Sequence, residues 1–376
     1  MKQIFKIIFK NTFWLVLAEI VNKGLLFFLT ILLARYLGAA GYGKISFALS
    51  LVTFFGVLID FGFTMLTIRD VAKNQPSARK YIDNVLVIRM LLGIITLGLI
   101  FIVIQILSKS GEVNLLIYLF FIYIFLVKTN EFLQGVFRAF EKMKFESITK
   151  IIQGLMLFGV TALFIWQEQP IIYFAWAYVI GAGASLIFNL AAVRSKFTKF
   201  GLRVDLSFWK KIFKEAWPFA LSFAFISIYY HLDSIMLSVI KSDEVVGWYN
   251  AAYKPIIFLM AIRHLLLGAI YPSLSKYYPD SQDVIKKIFS GIGRLTIMLA
   301  VAIPVGGVIL GPAVMSLLYG NEYSNGTIAF QILIFNVAVV FVNLLFPSFL
   351  NAIGKQKLYM WVIMGGAIMN VLLNFL

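Results

Sequence analysis

The sequence contains no cysteine and only two histidines among its 376 residues. Disulfide bonds, thiolate metal sites and thiol catalysis are therefore excluded, while the cellular compartment stays open. The sequence also has no Gly-rich nucleotide loop, no metal-ligand spacing and no sizeable soluble domain. It therefore predicts a protein that is not an enzyme, with no catalytic residues, no cofactor and no metal site.

Charged residues are scarce as well. They make up 13% of the chain, whereas soluble domains carry about a quarter. Hydrophobic residues make up 61%, and they form runs of about 20 residues or more, which suit helices that cross a hydrocarbon core of about 30 Å. The sequence therefore predicts an all-α, polytopic transmembrane helix bundle.

Apolar windows predict eleven membrane spans, with boundaries good to a few residues. The first run contains Glu19 and Lys23 and has no clear cleavage site, so it is interpreted as a retained helix and not as a signal peptide. The spans lie at 12–36, 44–68, 82–107, 113–137, 145–166, 171–193, 216–240, 246–271, 286–311, 327–350 and 358–376.

Lysine and arginine are distributed very unevenly between the predicted loops. If the N-terminus is cytoplasmic, the inner loops hold 23 of them and the outer loops hold four. This asymmetry predicts a multi-pass protein of the cell (inner or plasma) membrane with a cytoplasmic N-terminus. It also explains most of the net charge of +16 without a nucleic-acid partner.

The two halves of the sequence repeat each other. A shift of 204 residues aligns Gly43 with Gly247 and Ala48 with Ala252, and both halves share span order and basic turns. We therefore predict two pseudo-symmetric lobes of six helices around a central cavity, parallel because six is even. The predicted domains are an N-lobe at 1–193, an amphipathic cytoplasmic linker at 194–215, and a C-lobe at 216–376. The C-lobe has only five spans, so the chain is expected to be incomplete.

Ten formally ionised residues fall well inside the predicted spans, away from their ends. Left unpaired, they would together cost about 25–35 kcal/mol on insertion scales, which a marginally stable fold cannot carry. They must therefore pair, reach the headgroups, or line a hydrated cavity. They are Glu19, Lys23, Asp60, Arg89, Lys128, Glu131, Asp233, Lys254, Arg263 and Arg294.

Helical spacing leaves two interpretations open for most of these residues. Glu19–Lys23 and Lys128–Glu131 have the spacing of pairs within one helix. Asp60 could pair with Arg69 or Lys73, and Arg89 could reach the inner headgroups. The alternative is that polar stripes on several helices line a wet central cleft.

The seventh and eighth spans carry polar stripes of their own. Ser227, His231, Ser234 and Ser238 share one face of the seventh span, from which Asp233 points about 200° away. Lys254 precedes Pro255, which frees backbone carbonyls. The ten residues well inside the spans are six cations and four carboxylates, and this excess of positive charge favours an anionic substrate. The predicted substrate-binding residues are Lys23, Lys128, Lys254, Arg89, His231 and Asn250. The predicted ion-coupling or gating residues are Glu19, Glu131, Asp233 and Asp60.

Two segments resemble a known family. Residues 32–63 with 68–73 (LLARYLGAAGYGKISFALSLVTFFGVLIDFGF and IRDVAK) and residues 231–254 (HLDSIMLSVIKSDEVVGWYNAAYK) are similar to the polysaccharide and O-antigen flippases. These belong to the multidrug/oligosaccharidyl-lipid/polysaccharide exporter superfamily. The resemblance implies a two-lobed protein of twelve to fourteen helices that moves undecaprenyl-diphosphate-linked oligosaccharide outward by alternating access. The missing twelfth span is a departure from the family pattern.

The resemblance also implies partners and a mechanism. The diphosphate of a lipid-linked anionic oligosaccharide would dock on Lys23, Lys128 and Lys254 while its polyprenyl tail stays among membrane lipids. A polysaccharide polymerase and a chain-length regulator would be further partners. Three alternatives remain open, namely a lipid II flippase, a multidrug/cation antiporter of the same superfamily, and a non-transporting membrane scaffold of a glycan assembly complex.

Overall fold

The computed structural model describes residues 2–277 and 282–343, together with the single positions 361, 362, 365, 366 and 369. Side chains are not described for residues 2–13, 261–290, 292 and 295. The predicted span at 358–376 and the end of the span at 327–350 therefore lie outside the described residues. The same holds for the side chains of Arg263 and His264.

The described residues form ten α-helices and two short 3₁₀ helices. Eight stretches among them are long and apolar enough to cross a membrane, which confirms the prediction of an all-α, multi-pass membrane protein. The α-helices are α1 Lys2–Asp60, α2 Phe63–Lys73, α3 Ala78–Leu107, α4 Gly111–Ala139, α5 Met143–Trp166, α6 Ile171–Lys196, α7 Leu206–Ile240, α8 Asp243–Tyr277, α9 Gln282–Tyr319 and α10 Thr327–Val342. The 3₁₀ helices are Gln75–Ser77 and Asn321–Gly326.

The predicted spans three to six each coincide with one helix, α3 to α6. The predicted break between the first two spans is present at Gly38, where φ is 67° and ψ is 178°. The gap predicted between these spans, at 37–43, is otherwise helical. The second span ends early, because Phe61 (φ 45°) and Gly62 (φ 80°) form a turn between α1 and α2.

The predicted linker at 194–215 is helical over its second half, since α7 begins at Leu206 and continues through the seventh span. Asp205 caps this helix by accepting the backbone N–H of Phe208 at 2.9 Å. The Lys80 ammonium, 2.8 Å away, and that N–H hold the pKa of the Asp205 carboxyl below its usual range. Ile212 is buried. The role of this segment between two lobes stays a prediction.

The chain divides into two compact units, and α1 contributes to both. Unit 1 comprises Met1–Leu29 and Lys44–Lys241, and unit 2 comprises Thr30–Gly43 and Ser242–Leu376. The predicted lobes at 1–193 and 216–376 are not tested by this division and stay a prediction.

The core of unit 1 is rich in aromatic side chains. Phe197 packs its ring against Phe137, Phe140 and Phe145, with centroids 5.1–5.3 Å apart. These contacts join the end of α6 to the α4–α5 turn. Each such aromatic pair stabilises the fold by about 0.5–1.5 kcal/mol beyond its buried area.

In unit 2, the break at Gly38 is tied to the 3₁₀ helix Asn321–Gly326. The break leaves backbone groups without partners inside the helix, and side chains satisfy them. The Ala39 N–H donates to the Glu322 carboxylate at 2.7 Å. The Tyr323 hydroxyl donates to the Ala34 carbonyl at 2.9 Å. A carboxylate at a helix N-terminus is favourable because the helix dipole is positive there.

The two glycines that the sequence repeat aligns meet in unit 2. A Cβ added to Gly43 would overlap the carbonyl oxygen of Asp243, and a Cβ added to Gly247 would overlap that of Ala39. Ala39 and Asp243 are also 204 residues apart. The contact is therefore reciprocal, since each glycine lies against the backbone carbonyl of the residue four positions before the other glycine.

Candidate functional site

A chain of five charged side chains joins α1, α5 and α4 in unit 1. Lys23 and Lys150 each lie 3.2 Å from one oxygen of Glu19. Lys150 also lies 3.2 Å from Glu146. Arg138 then binds both oxygens of Glu146, at 2.8 and 2.6 Å. The order along the chain is Lys23, Glu19, Lys150, Glu146 and Arg138.

The two carboxylates of this ion chain differ in their exposure. The Glu146 side chain is 1% exposed, and Arg138 and Lys150 hold its carboxylate inside the protein. The Glu19 side chain is 43% exposed. The ion chain therefore contains one buried carboxylate and one partly exposed carboxylate, which lies between Lys23 and Lys150.

A second buried ion pair connects α1 and α3. Arg89 is fully buried and pairs with Asp60, and it also donates to the Lys128 carbonyl. Its guanidinium lies 2.8 Å from the Thr64 hydroxyl and 4.8 Å from the centre of the Phe132 ring. This arrangement ties α1, α2, α3 and α4 together.

These contacts correct one interpretation and leave one prediction untested. Asp60 pairs with Arg89 and not with Arg69 or Lys73, because Arg69 pairs with Asp70 and Glu215. The structure gives Arg89 a packing role. It does not test the prediction that Arg89 binds substrate.

Lys128 and Glu131 form the predicted pair on α4, with Nζ and Oε2 2.9 Å apart. The Glu131 side chain is 47% exposed. Arg138 lies on α4 two turns after Glu131, and Arg89 donates to the Lys128 carbonyl on the same helix. The two sets of charges therefore meet on α4, and together they are called the polar band.

This polar band of unit 1 contains one more cation than carboxylate. Its cations are Lys23, Arg89, Lys128, Arg138 and Lys150, and its carboxylates are Glu19, Asp60, Glu131 and Glu146. A band with excess positive charge among apolar helices favours an anionic ligand, and lysine is a common phosphate binder.

A buried cluster of neutral polar groups lies on α4, α5 and α6. The Asn189 amide donates to the Asn130 side chain at 2.7 Å, and the Thr149 hydroxyl donates to Asn189 at 2.6 Å. Asn130 in turn donates to the Ser185 hydroxyl at 2.9 Å. Since these partners satisfy one another, the cluster stabilises helix packing.

The polar stripe of α7 packs against protein in unit 1. Ser227, Ser234 and Ser238 are buried, and the Ser227 hydroxyl lies 3.5 Å from the Phe54 carbonyl. Ser227 therefore faces α1, and the burial of the three serines does not support their interpretation as one wall of a wet cleft. His231 and Asp233 are both half-buried on α7.

Two predicted site residues lie on α8 in unit 2. Asn250 is buried, and its side-chain amide donates to the Val246 carbonyl one turn earlier at 3.0 Å. Lys254 is half-buried, and it forms no ion pair with any of the side chains that the structure describes. It is therefore a separate candidate cation.

Sequence reasoning missed Glu146 and Lys150 as site residues. It placed Arg138 on the polar face of the fourth span with Lys128 and Glu131 but did not assign it to the site. The positions of Arg138 and Lys150 near helix ends made these two cations count as loop charges. The available signal was the i,i+4 spacing of Glu146 and Lys150 at the start of α5, which places both on one face. Within the described residues, no group of three His, Asp or Glu side chains is arranged to hold a metal ion.

The fold and this polar band define a multi-pass helical membrane protein with ion pairs inside its spans. Among solved structures, the chain is similar to an inward-facing multidrug resistance MATE family transporter of the MOP superfamily. The TM-score is 0.65 at 14% identity, over 92% of this chain and 88% of that one. This similarity concerns the fold alone.

Sequence comparison identifies the family. Residues 8–278 match the model of the family described as "Polysaccharide biosynthesis protein", and the chain belongs to this family. It is 29% identical to a "Putative O-antigen transporter" of Shigella dysenteriae, over 89% of this chain and 83% of the relative. A protein of the same description from Shigella flexneri is 24% identical, over 87% of this chain and 80% of the relative.

Proposed function

We propose that this membrane protein is a flippase that moves polyprenyl-diphosphate-linked oligosaccharide from the inner to the outer leaflet for surface polysaccharide biosynthesis. The family membership and the O-antigen transporter relatives support this class of function. The observation that carries the proposal is the polar band of unit 1, whose cations lie within helices otherwise suited to lipid.

The charge of the band supports a phosphate-bearing substrate. Lysine ammonium groups bind phosphate as point charges, with hydrogen bonds to its oxygens. Lys23 and Lys128 supply such groups in unit 1, and Lys254 is the proposed cation of unit 2. A drug or cation antiporter would instead need a net acidic site, and the band has more cations than carboxylates.

The membrane potential favours the proposed direction of transport. In a membrane that is negative inside, outward movement of one negative charge releases about 2.3 kcal/mol per 100 mV. The free energy of a diphosphate therefore falls as it moves outward. The proposed cycle alternates between inward-open and outward-open states.

Carboxylates in the spans are the proposed ion-coupling or gating groups. Glu19 and Glu131 are the stronger candidates, because their side chains are 43% and 47% exposed, so neither is enclosed in a buried pair. Asp60 is held in a buried pair with Arg89. Asp233 stays a candidate on α7.

The proposal includes a location and partners. The protein would lie in the cell membrane with its N-terminus in the cytoplasm, and it would work beside a polysaccharide polymerase and a chain-length regulator. A lipid II flippase would handle the same diphosphate chemistry but would be needed for growth. A non-transporting scaffold would move no lipid-linked sugar.

The three proposed docking lysines give the first test. In cells that lack the gene, we expect Lys23→Gln, Lys128→Gln and Lys254→Gln each to lower surface glycan about tenfold relative to the wild type. One charged hydrogen bond contributes about 1.5–3 kcal/mol, and 1.4 kcal/mol is tenfold. Surface glycan is measured by gel analysis at matched protein levels.

Lys241→Gln is the control, since Lys241 is exposed at the end of α7 and should leave export unchanged. If all three lysine variants export glycan as the wild type does, the docking proposal fails. If loss of the gene stops growth instead of removing a surface glycan, the lipid II alternative replaces the proposal.

A further inference from the structure

The Glu19 carboxylate stands between two ammonium groups from different helices. Its Oε1 faces Lys23 of α1, and its Oε2 faces Lys150 of α5, both at 3.2 Å. Charge-assisted N–H···O bonds are usually about 2.7–2.9 Å long. Both contacts are longer than that, and 43% of the Glu19 side chain is exposed.

The neighbouring Glu146 carboxylate is held in the opposite way. Arg138 binds it through two hydrogen bonds of 2.6 and 2.8 Å, and the side chain is buried. Lys150 contacts both carboxylates. If the Glu19 carboxylate moved away, Glu146 would keep Lys150 in place, and the Lys23–Lys150 position would need another anion.

We infer that Glu19 is an exchangeable counter-anion whose place between Lys23 and Lys150 is taken by the diphosphate of the substrate. This inference rests on the proposed function and deepens it by naming a phosphate site. A phosphate group offers the same paired oxygens as a carboxylate, and a diphosphate carries more negative charge. Lys150, which the sequence analysis counted among the inner-loop charges, becomes a binding residue.

The exchange of Glu19 for another anion determines which ligands can bind between Lys23 and Lys150. An anion must compete with a carboxylate that is already seated and covalently attached to α1. A lipid with a neutral headgroup cannot displace the carboxylate. A singly charged phosphodiester binds the two lysines only about as well as the carboxylate does, because their charges are equal. Prenyl diphosphates are therefore expected to bind more tightly than prenyl monophosphates, and both more tightly than phosphatidylglycerol or farnesol.

The test measures binding of farnesyl diphosphate to the full chain in detergent micelles. Glu19→Gln keeps the shape of the side chain and removes the competing charge, so we expect affinity to rise about tenfold, or 1.4 kcal/mol. Lys23→Gln and Lys150→Gln should each weaken binding. The double variant Glu19→Gln with Lys150→Gln should lose the gain.

Two further variants test whether the gain in affinity is specific to the position and the charge of Glu19. Glu112→Gln removes a carboxylate that pairs with Lys44 at 2.6 Å elsewhere in unit 1, and it should leave affinity unchanged. Glu19→Asp keeps the charge but shortens the reach, so it should give a smaller gain than Glu19→Gln. Thermal unfolding without ligand verifies that each variant is folded.

Unchanged or weaker binding by folded Glu19→Gln and Glu19→Asp overturns the inference. So does a gain that persists in the double variant. An equal gain for phosphatidylglycerol also overturns it, since the position would then be a lipid headgroup site. Movement of lipid-linked oligosaccharide by the wild type in vesicles tests the proposed function by itself, so the two failures are separable.

Discussion

Replacing Asp60 with Asn is expected to lower the free energy of unfolding by about 3–5 kcal/mol, the usual cost of breaking a buried ion pair from one side. Arg89 is buried and pairs with Asp60. Without the carboxylate, its charge would remain within the helices with only carbonyl and hydroxyl partners, from Lys128 and Thr64. Denaturation of the purified protein in detergent micelles measures the loss.

The matched control for this prediction is Glu112→Gln, which breaks the exposed pair with Lys44. Exposed pairs contribute about 0–1 kcal/mol, so this change should be small. The double variant Asp60→Asn with Arg89→Met should recover much of the loss, because no unpaired charge is left buried. Equal stabilities of Asp60→Asn and Glu112→Gln would contradict the structural role of the pair.

Replacing Gly247 with Ala is expected to destabilise unit 2 by about 3 kcal/mol or more. Overpacking usually costs about 1–3 kcal/mol, and here the added methyl group meets the backbone carbonyl of Ala39, which has no rotamer to change. Gly43→Ala should have a similar effect, since its methyl group meets the Asp243 carbonyl. Thermal unfolding in detergent measures both.

Gly306 provides the comparison within unit 2. It lies inside α9, and a Cβ added there would meet nothing within 4 Å. Gly306→Ala should stabilise the helix by up to about 1 kcal/mol, because alanine has the higher helix propensity. If Gly247→Ala unfolds at the same temperature as Gly306→Ala, the close contact between Gly247 and the Ala39 backbone is wrong.

The spans that sequence predicted best are those whose helices begin and end at polar or glycine-containing turns, such as α4 and α5. The gap predicted between the first two spans is too long, because it contains three glycines in six residues, Gly38–Gly43, and glycines are typical of turns. Within this segment, Gly38 is the only residue with a positive φ. Gly43 is helical and is required for close packing, a tertiary reason that local sequence does not reveal.

The ion pairs also divide into those that the sequence predicts and those that it does not. Glu19–Lys23 and Lys128–Glu131 are confirmed as pairs within single helices, because a fixed spacing along one helix determines which side chains meet. Pairs between helices, such as Asp60–Arg89 and Glu19–Lys150, depend on how the helices are arranged. No periodicity within a single span contains that information.

The most direct test of the central claim is transport by the wild-type chain in sealed vesicles. A fluorescent label on the sugar of a polyprenyl-diphosphate oligosaccharide reports which leaflet holds the lipid, because an impermeant quencher reaches only the outer one. We predict that the label on the inner leaflet, which stays protected in vesicles without protein, becomes accessible when the chain is present. Continued protection with folded, membrane-inserted protein would contradict the proposed flippase.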